Sequence, residues 1–163
     1  MDAGAALKQV MGLSDMVSFS YLEDLTDDQL MLRPHSGCNH LNWQVGHLIS
    51  SENHIMESAF PGSMPKLPDG FSERYSKETA SSNDASAFLK KDELIRLAKE
   101  QRTATLAKLD TLDGSGLDQP APEAMQSYAP TIGAMFALLG THWMMHCGQW
   151  VVVRRELGKP ALF

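Results

Sequence analysis

Along most of the chain, apolar residues recur at three- and four-residue intervals, and four long stretches carry that helical period. The first runs from Asp2 to Asp24, with Leu7, Val10, Met11, Ser14, Val17, Ser18 and Tyr21 on one side. Leu13 and Phe19 broaden that face, while Gly4 and Gly12 weaken the helix. Thr26-Asp27-Asp28-Gln29 then reads as a capping-box start to one or two turns ending before Pro34. Asn39 predicts the N-cap of a second long helix that reaches about Ala59, closed by Pro61-Gly62. Its stripe is Leu41, Val45, Leu48, Ile55, Met56 and Ala59. A third helix is predicted from a cap at Asn83 or Asp84 to about Leu112. Phe88, Leu94, Ile95, Leu97, Ala98, Leu106 and Leu109 form its apolar side; Lys90, Lys91, Glu93, Arg96, Lys99, Glu100 and Arg102 form a solvated one. The fourth, Thr131–Pro160, has Thr131 as N-cap, Arg154 and Arg155 where cations suit the dipole, and Gly158 with Pro160 as a stop.

Two of these helices are apolar on more than one side. On the fourth, Met135, Leu138, Leu139, His146, Gln149 and Val153 fall within about 60° of His142. Phe136, Trp143 and Val151, and further round Ile132, Trp150 and Val152, occupy the other side, so this helix is central or packs on both faces. On the second, His47 lies about 120° from the centre of the stripe, on a side shared with Trp43 and His54. Either that helix buries two faces or His47 stands outside the core.

The joins are long. Phe60–Ser82 carries Pro61, Pro65, Pro68, Gly62 and Gly70, and irregular connections of this length often serve as lids or binding loops. Gly114-Ser115-Gly116 with Pro120, Pro122 and Pro130 marks a second. With no strand-like run, the pattern predicts an all-α fold, a four-helix bundle with long crossover connections, in a single domain over residues 1–163.

Composition narrows the function classes. The chain has 14 basic and 20 acidic residues, a formal net charge of −6, and no Lys/Arg cluster longer than two. That balance argues against nucleic acid and against anionic membranes as partners. No apolar run reaches the length of a membrane span, and no charged-then-apolar leader precedes Leu7. Two cysteines, Cys38 and Cys147, do not form a secreted disulfide framework. The expectation is a soluble cytoplasmic protein.

The candidate chemistry starts with His142 and His146. Four residues apart on a helix, their imidazoles share a face with Cβ atoms about 5–6 Å apart, the spacing at which two histidines hold one metal ion. Two neighbouring rings cannot both charge without cost, and a shared cation between neutral rings removes that cost. A third ligand has to come from another helix. His47, His54, His40, His35 and Glu52 are the candidates, and periodicity does not choose among them. Gln149, one turn beyond His146, reads as a supporting contact or a packing residue, and Glu52 as an exposed ion pair or a base. Cys147 points away from the histidines and reads as a small buried residue. Trp43, Phe71 and Tyr75 read as core or as pocket walls. No phosphate loop, Ser-His-Asp order or HExxH motif is present.

Asn39-His40-Leu41-Asn42-Trp43-Gln44-Val45-Gly46-His47-Leu48-Ile49, then His142-Trp143-Met144-Met145-His146-Cys147-Gly148-Gln149, then Arg155-Glu156-Leu157-Gly158-Lys159-Pro160, resemble in order and content the DinB/YfiT-like superfamily. The likeness covers essentially the whole chain. It implies a bundle with long crossovers and a divalent metal held by three histidines, which by position are His47, His142 and His146. It further implies zinc or nickel as the metal, a homodimer, and a small-molecule substrate, in some members with a low-molecular-weight thiol such as bacillithiol or mycothiol. The expected function is that of a metal-dependent small-molecule enzyme, a thiol S-transferase or hydrolase in which the ion activates a thiol or water. The alternative is a non-catalytic metal- or ligand-binding helical-bundle dimer.

Overall fold

The computed structural model describes all residues, Met1–Phe163, and they form seven α-helices, three short 3-10 turns and no strand. Helix α1 (Ala3–Glu23) is capped by Asp2, whose Oδ1 accepts from Ala5 N at 2.8 Å. Helix α2 (Asp27–Leu30) has the expected reciprocal capping box of Thr26 and Gln29. Helix α3 (Leu41–Ala59) begins one residue later than the sequence suggests, because its N-cap is His40 rather than Asn39. The His40 Nδ1 accepts from Trp43 N at 3.0 Å. The remaining helices are α4 (Phe71–Arg74), α5 (Lys91–Leu109), α6 (Gly114–Leu117) and α7 (Ile132–Glu156).

Helix α5 departs most from expectation. Asp84 caps only a 3-10 turn over Ala85–Ala87, and the chain is extended at Phe88. Non-local bonds hold it there: Leu89 N donates to the Tyr75 hydroxyl at 3.0 Å, and Leu89 O accepts from Asn42 Nδ2 at 2.8 Å. Phe88 is buried as predicted, but from a strand-like segment, not from a helix face.

The four long helices pack with two parallel pairs. Contacts between α1 and α7 advance together: Ser14 Oγ to Gly140 O at 2.8 Å, Ser18 with Cys147 at 3.1 Å, then Arg154 to Tyr21 O at 3.2 Å. Small residues at this seam let α1 and α7 approach closely; a Cβ on Gly140 would sit 3.4 Å from Met11 Cγ. Helices α3 and α5 also advance together, from Asn42 with Leu89 to Asn53 with Gln101. The α1/α5 pairs run oppositely, with Lys8 against Asp110 and Lys91 against Glu23. Since α3 and α5 are parallel, residues 60–90 must return the length of the bundle, which explains the long join. Arg33 fastens the end of that return by donating to Cys38 O, Ala80 O, Ser82 O and Asn83 Oδ1.

Two apolar cores fill the bundle. One gathers Leu41, Trp43, Leu48, Ile49, Tyr75, Leu94, Trp143 and Trp150; the other gathers Met11, Met56, Leu109, Met135, Phe136 and Leu139. Between them Arg102 Nε meets Asp15 at 3.0 Å and Arg102 Nη2 meets Glu52 at 3.2 Å. Arg102 therefore does not lie on the solvated face, and Glu52 is not an exposed ion-pair residue. Both are buried because each finds its opposite charge on another helix. No helix is long and apolar enough to cross a membrane.

Candidate metal centre

The N-terminal half of α3 buries residues all round. Leu41, Asn42, Trp43, Gln44, Val45 and Gly46 are all inaccessible, so the helix does bury two faces. Gly46 makes this packing feasible, since a Cβ there would lie 2.1 Å from the Tyr75 ring. Trp43 Nε1 donates to Ser76 O at 3.0 Å, and its indole stacks on the His47 imidazole with centroids 5.0 Å apart and planes 5° apart. His47 thus has one ring face covered and stands at the edge of the core, turned toward α7.

Across from it, α7 presents His142 and His146, with ring centroids 5.1 Å apart. The His47 centroid lies 5.4 Å from that of His142 and 5.9 Å from that of His146. One nitrogen from each of the three rings falls within 4.8 Å of the others. All three side chains are half-buried. Burial is the main cause holding His142 and His146 at a pKa of about 4, and neighbouring histidine charge adds to it. His47 is lowered by burial and by the nearby Lys77 charge. Near neutral pH the cluster consists of neutral imidazoles with lone pairs available, the form a divalent cation needs. The donor set fits a metal: nitrogens about 2.0–2.1 Å from a tetrahedral ion lie about 3.4 Å apart, a modest closing of these rings.

The other sequence candidates lie elsewhere. His35 and His54 are exposed. His40 is fully buried, uses Nδ1 to cap α3, and packs edge-on to Phe88 at 4.7 Å. Glu52 is engaged by Arg102. Cys147 is buried against Ser18, and burial pushes its thiol up to about 11. Phe71 and Tyr75 are core residues that anchor the segment from Phe60 to Ser82 into the bundle, and Ser76 and Thr79 of that segment meet Trp43, which stacks on His47.

One participant escaped the sequence reading. Gln44 Oε1 lies 2.8 Å from His146 Nδ1 and accepts from Trp150 Nε1 at 3.0 Å. Gln44 Nε2 donates to Asn39 O at 2.7 Å and to Gln149 Oε1 at 3.0 Å. The available signal was its spacing, three residues before His47 and so on the same side of α3.

An all-helical bundle with paired parallel helices and three histidines gathered from α3 and α7 defines the class. The chain belongs to the DinB superfamily, whose profile matches residues 14–150. Among solved structures it is similar to YfiT from Bacillus subtilis, with a TM-score of 0.66 and 18% identity over 96% of this chain and 89% of that one. That protein is described as a probable metal-dependent hydrolase with an unusual four-helix bundle topology. A conserved protein from Enterococcus faecalis is equally similar, with a TM-score of 0.66 and 16% identity over 98% of this chain and 99% of that one. No curated protein matches significantly.

Proposed function

We propose that the chain is a metal-dependent small-molecule enzyme in which His47, His142 and His146 hold one divalent ion, zinc or nickel. The observation that carries this reading is the meeting of three neutral, half-buried imidazoles from two helices, their nitrogens within 4.8 Å of one another. An ion held by three neutral nitrogens keeps its full charge and an open position, and it makes a water or thiol more acidic there. The chain supplies the rest. Trp43 fixes the plane of His47 by stacking, Gln44 orients His146, and the half-exposure of all three rings leaves a route for a small substrate. Hydrolysis is the reaction favoured by the likeness to YfiT, and transfer of a low-molecular-weight thiol is the alternative chemistry of the same site.

A second reading is metal or ligand binding without turnover. It is favoured by Glu52, a buried carboxylate on α3 that is tied to Arg102 instead of standing free for proton transfer. Assay of untagged protein against ester, amide and thiol-plus-electrophile panels separates the two. Metal-dependent turnover that disappears in His47→Ala supports the enzyme; stoichiometric metal with no turnover on any panel supports the binder.

The chain is further proposed to pair with a second copy through α1 and α7. Leu13 on α1 is 55% exposed and Met145 on α7 is 64% exposed, joined by exposed Val10, Met144 and Val152. Exposed apolar side chains on two helices packed together are suited to a partner face.

A further inference from the structure

We infer that Gln44 is a positioning residue that holds His146 as its Nδ1–H tautomer and so reserves the Nε2 lone pair for a cation. This rests on the three-histidine reading above only in naming the cation. The tautomer itself follows from hydrogen bonding.

The Gln44 amide can face only one way. Trp150 Nε1 is a donor with no acceptor capacity, and it lies 3.0 Å from Oε1. Asn39 O is an acceptor with no donor capacity, and it lies 2.7 Å from Nε2. Exchanging the amide's oxygen and nitrogen would set donor against donor and acceptor against acceptor. With Oε1 thus an acceptor, the 2.8 Å contact with His146 Nδ1 requires the proton on Nδ1. In a neutral imidazole the other nitrogen, Nε2, then carries the lone pair.

The amide is also held firmly. Gln44 is 1% exposed, and its two N–H groups and two oxygen lone pairs have four partners: Asn39 O, Gln149 Oε1, Trp150 Nε1 and His146 Nδ1. Rotating the side chain would break all four contacts and strand the fully buried Trp150 Nε1, where an unmade hydrogen bond is expensive. Three of the partners come from α7, so the amide also sets the register of the α3 face against the α7 face that carries His142 and His146. Outer partners of this kind fix ring orientation and raise ligand basicity in metal sites generally, and their loss costs about 10–100-fold in metal affinity.

The test begins with the unsubstituted metal-free protein. Nitrogen-15 NMR of the labelled histidines near neutral pH is expected to show His146 protonated at Nδ1 and bare at Nε2; the reverse assignment overturns the inference. Zinc titration then compares Gln44→Leu, which removes the acceptor, with Gln44→Glu, whose protonated carboxyl keeps the acceptor and still donates to Asn39 O. Zinc affinity is expected to fall about 10–100-fold in Gln44→Leu and to recover most of that loss in Gln44→Glu. A folded Gln44→Leu that binds zinc as tightly as the parent, with His146 still protonated at Nδ1, overturns it. If Gln44→Leu does not fold, the parent spectrum and the Gln44→Glu titration decide. A parent protein that shows the Nδ1–H tautomer yet binds no divalent ion upholds the role of Gln44 and removes the metal reading, so the two fail separately.

Discussion

Glu52 and Arg102 meet at 3.2 Å between the two apolar cores, both withdrawn from solvent, with Asp15 as a second carboxylate on the same guanidinium. Glu52 Oε1 and Arg102 Nη1 are left without a protein partner, so the pair is costly to bury and costlier to break. Arg102→Met, which leaves two carboxylates facing no cation, is expected to lose about 3–5 kcal/mol. The double variant Arg102→Met with Glu52→Gln is expected to recover part of it. Urea unfolding of the parent and both variants checks the order, and equal stability of the single and double variants would contradict it.

Gly46 and Tyr75 make a second prediction. Gly46→Ala places a methyl 2.1 Å from a ring whose hydroxyl accepts from Leu89 N, so the return segment has to move. The expected cost is about 3 kcal/mol, the upper end for overpacking. Tyr75→Ala in the Gly46→Ala background should relieve the clash and make the two changes strongly non-additive, as a double-mutant cycle by thermal unfolding would reveal.

Stability should fall as the metal-free protein is acidified. His40, His142 and His146 titrate at about 4 when folded, mainly through burial, and His47 is lowered as well. The unfolded chain takes up those protons from about pH 6.5 downward, so this contribution to folding is lost between about pH 6.5 and 4. Asp15 acts oppositely. Burial raises it to about 6, so its protonation stabilises the fold as pH falls from there toward its ordinary value, and Glu52 is raised in the same sense. His40, His142 and His146 are each displaced at least as far as Asp15, and Tm is expected to drop across this window. Asp15→Asn, which removes one opposing group, should make the drop steeper between pH 6 and 4; a shallower drop would contradict the assignment.

The helices were legible because burial follows their period, and the caps at Thr26 and Thr131 were visible as side chains that accept from the first turn. What periodicity could not show were contacts between helices. Arg102 sits among lysines and glutamates on its own helix and is buried only because Asp15 and Glu52 come from α1 and α3. The start of α5 was misplaced because Asn42 and Tyr75, distant in sequence, hold Leu89 extended. For the cluster, the i,i+4 pair was readable from spacing. The third histidine was chosen by resemblance, and its geometry depends on Trp43 and on the depth to which α3 is buried.

Pairing of chains through α1 and α7 predicts a dimer at micromolar concentration by light scattering. Leu13→Glu with Met145→Glu should give a folded monomer, because both side chains are already more than half exposed in the single chain. A parent protein that is monomeric at that concentration would contradict the proposed face.

The most direct measurement for the metal centre is elemental analysis of protein purified without a histidine tag, followed by titration of the stripped protein with zinc and nickel. One divalent ion per chain is expected, lost on substitution of His47, His142 or His146 by alanine and kept on substitution of His54. Absence of a stoichiometric ion in the parent, or its retention in His142→Ala, would contradict the three-histidine site.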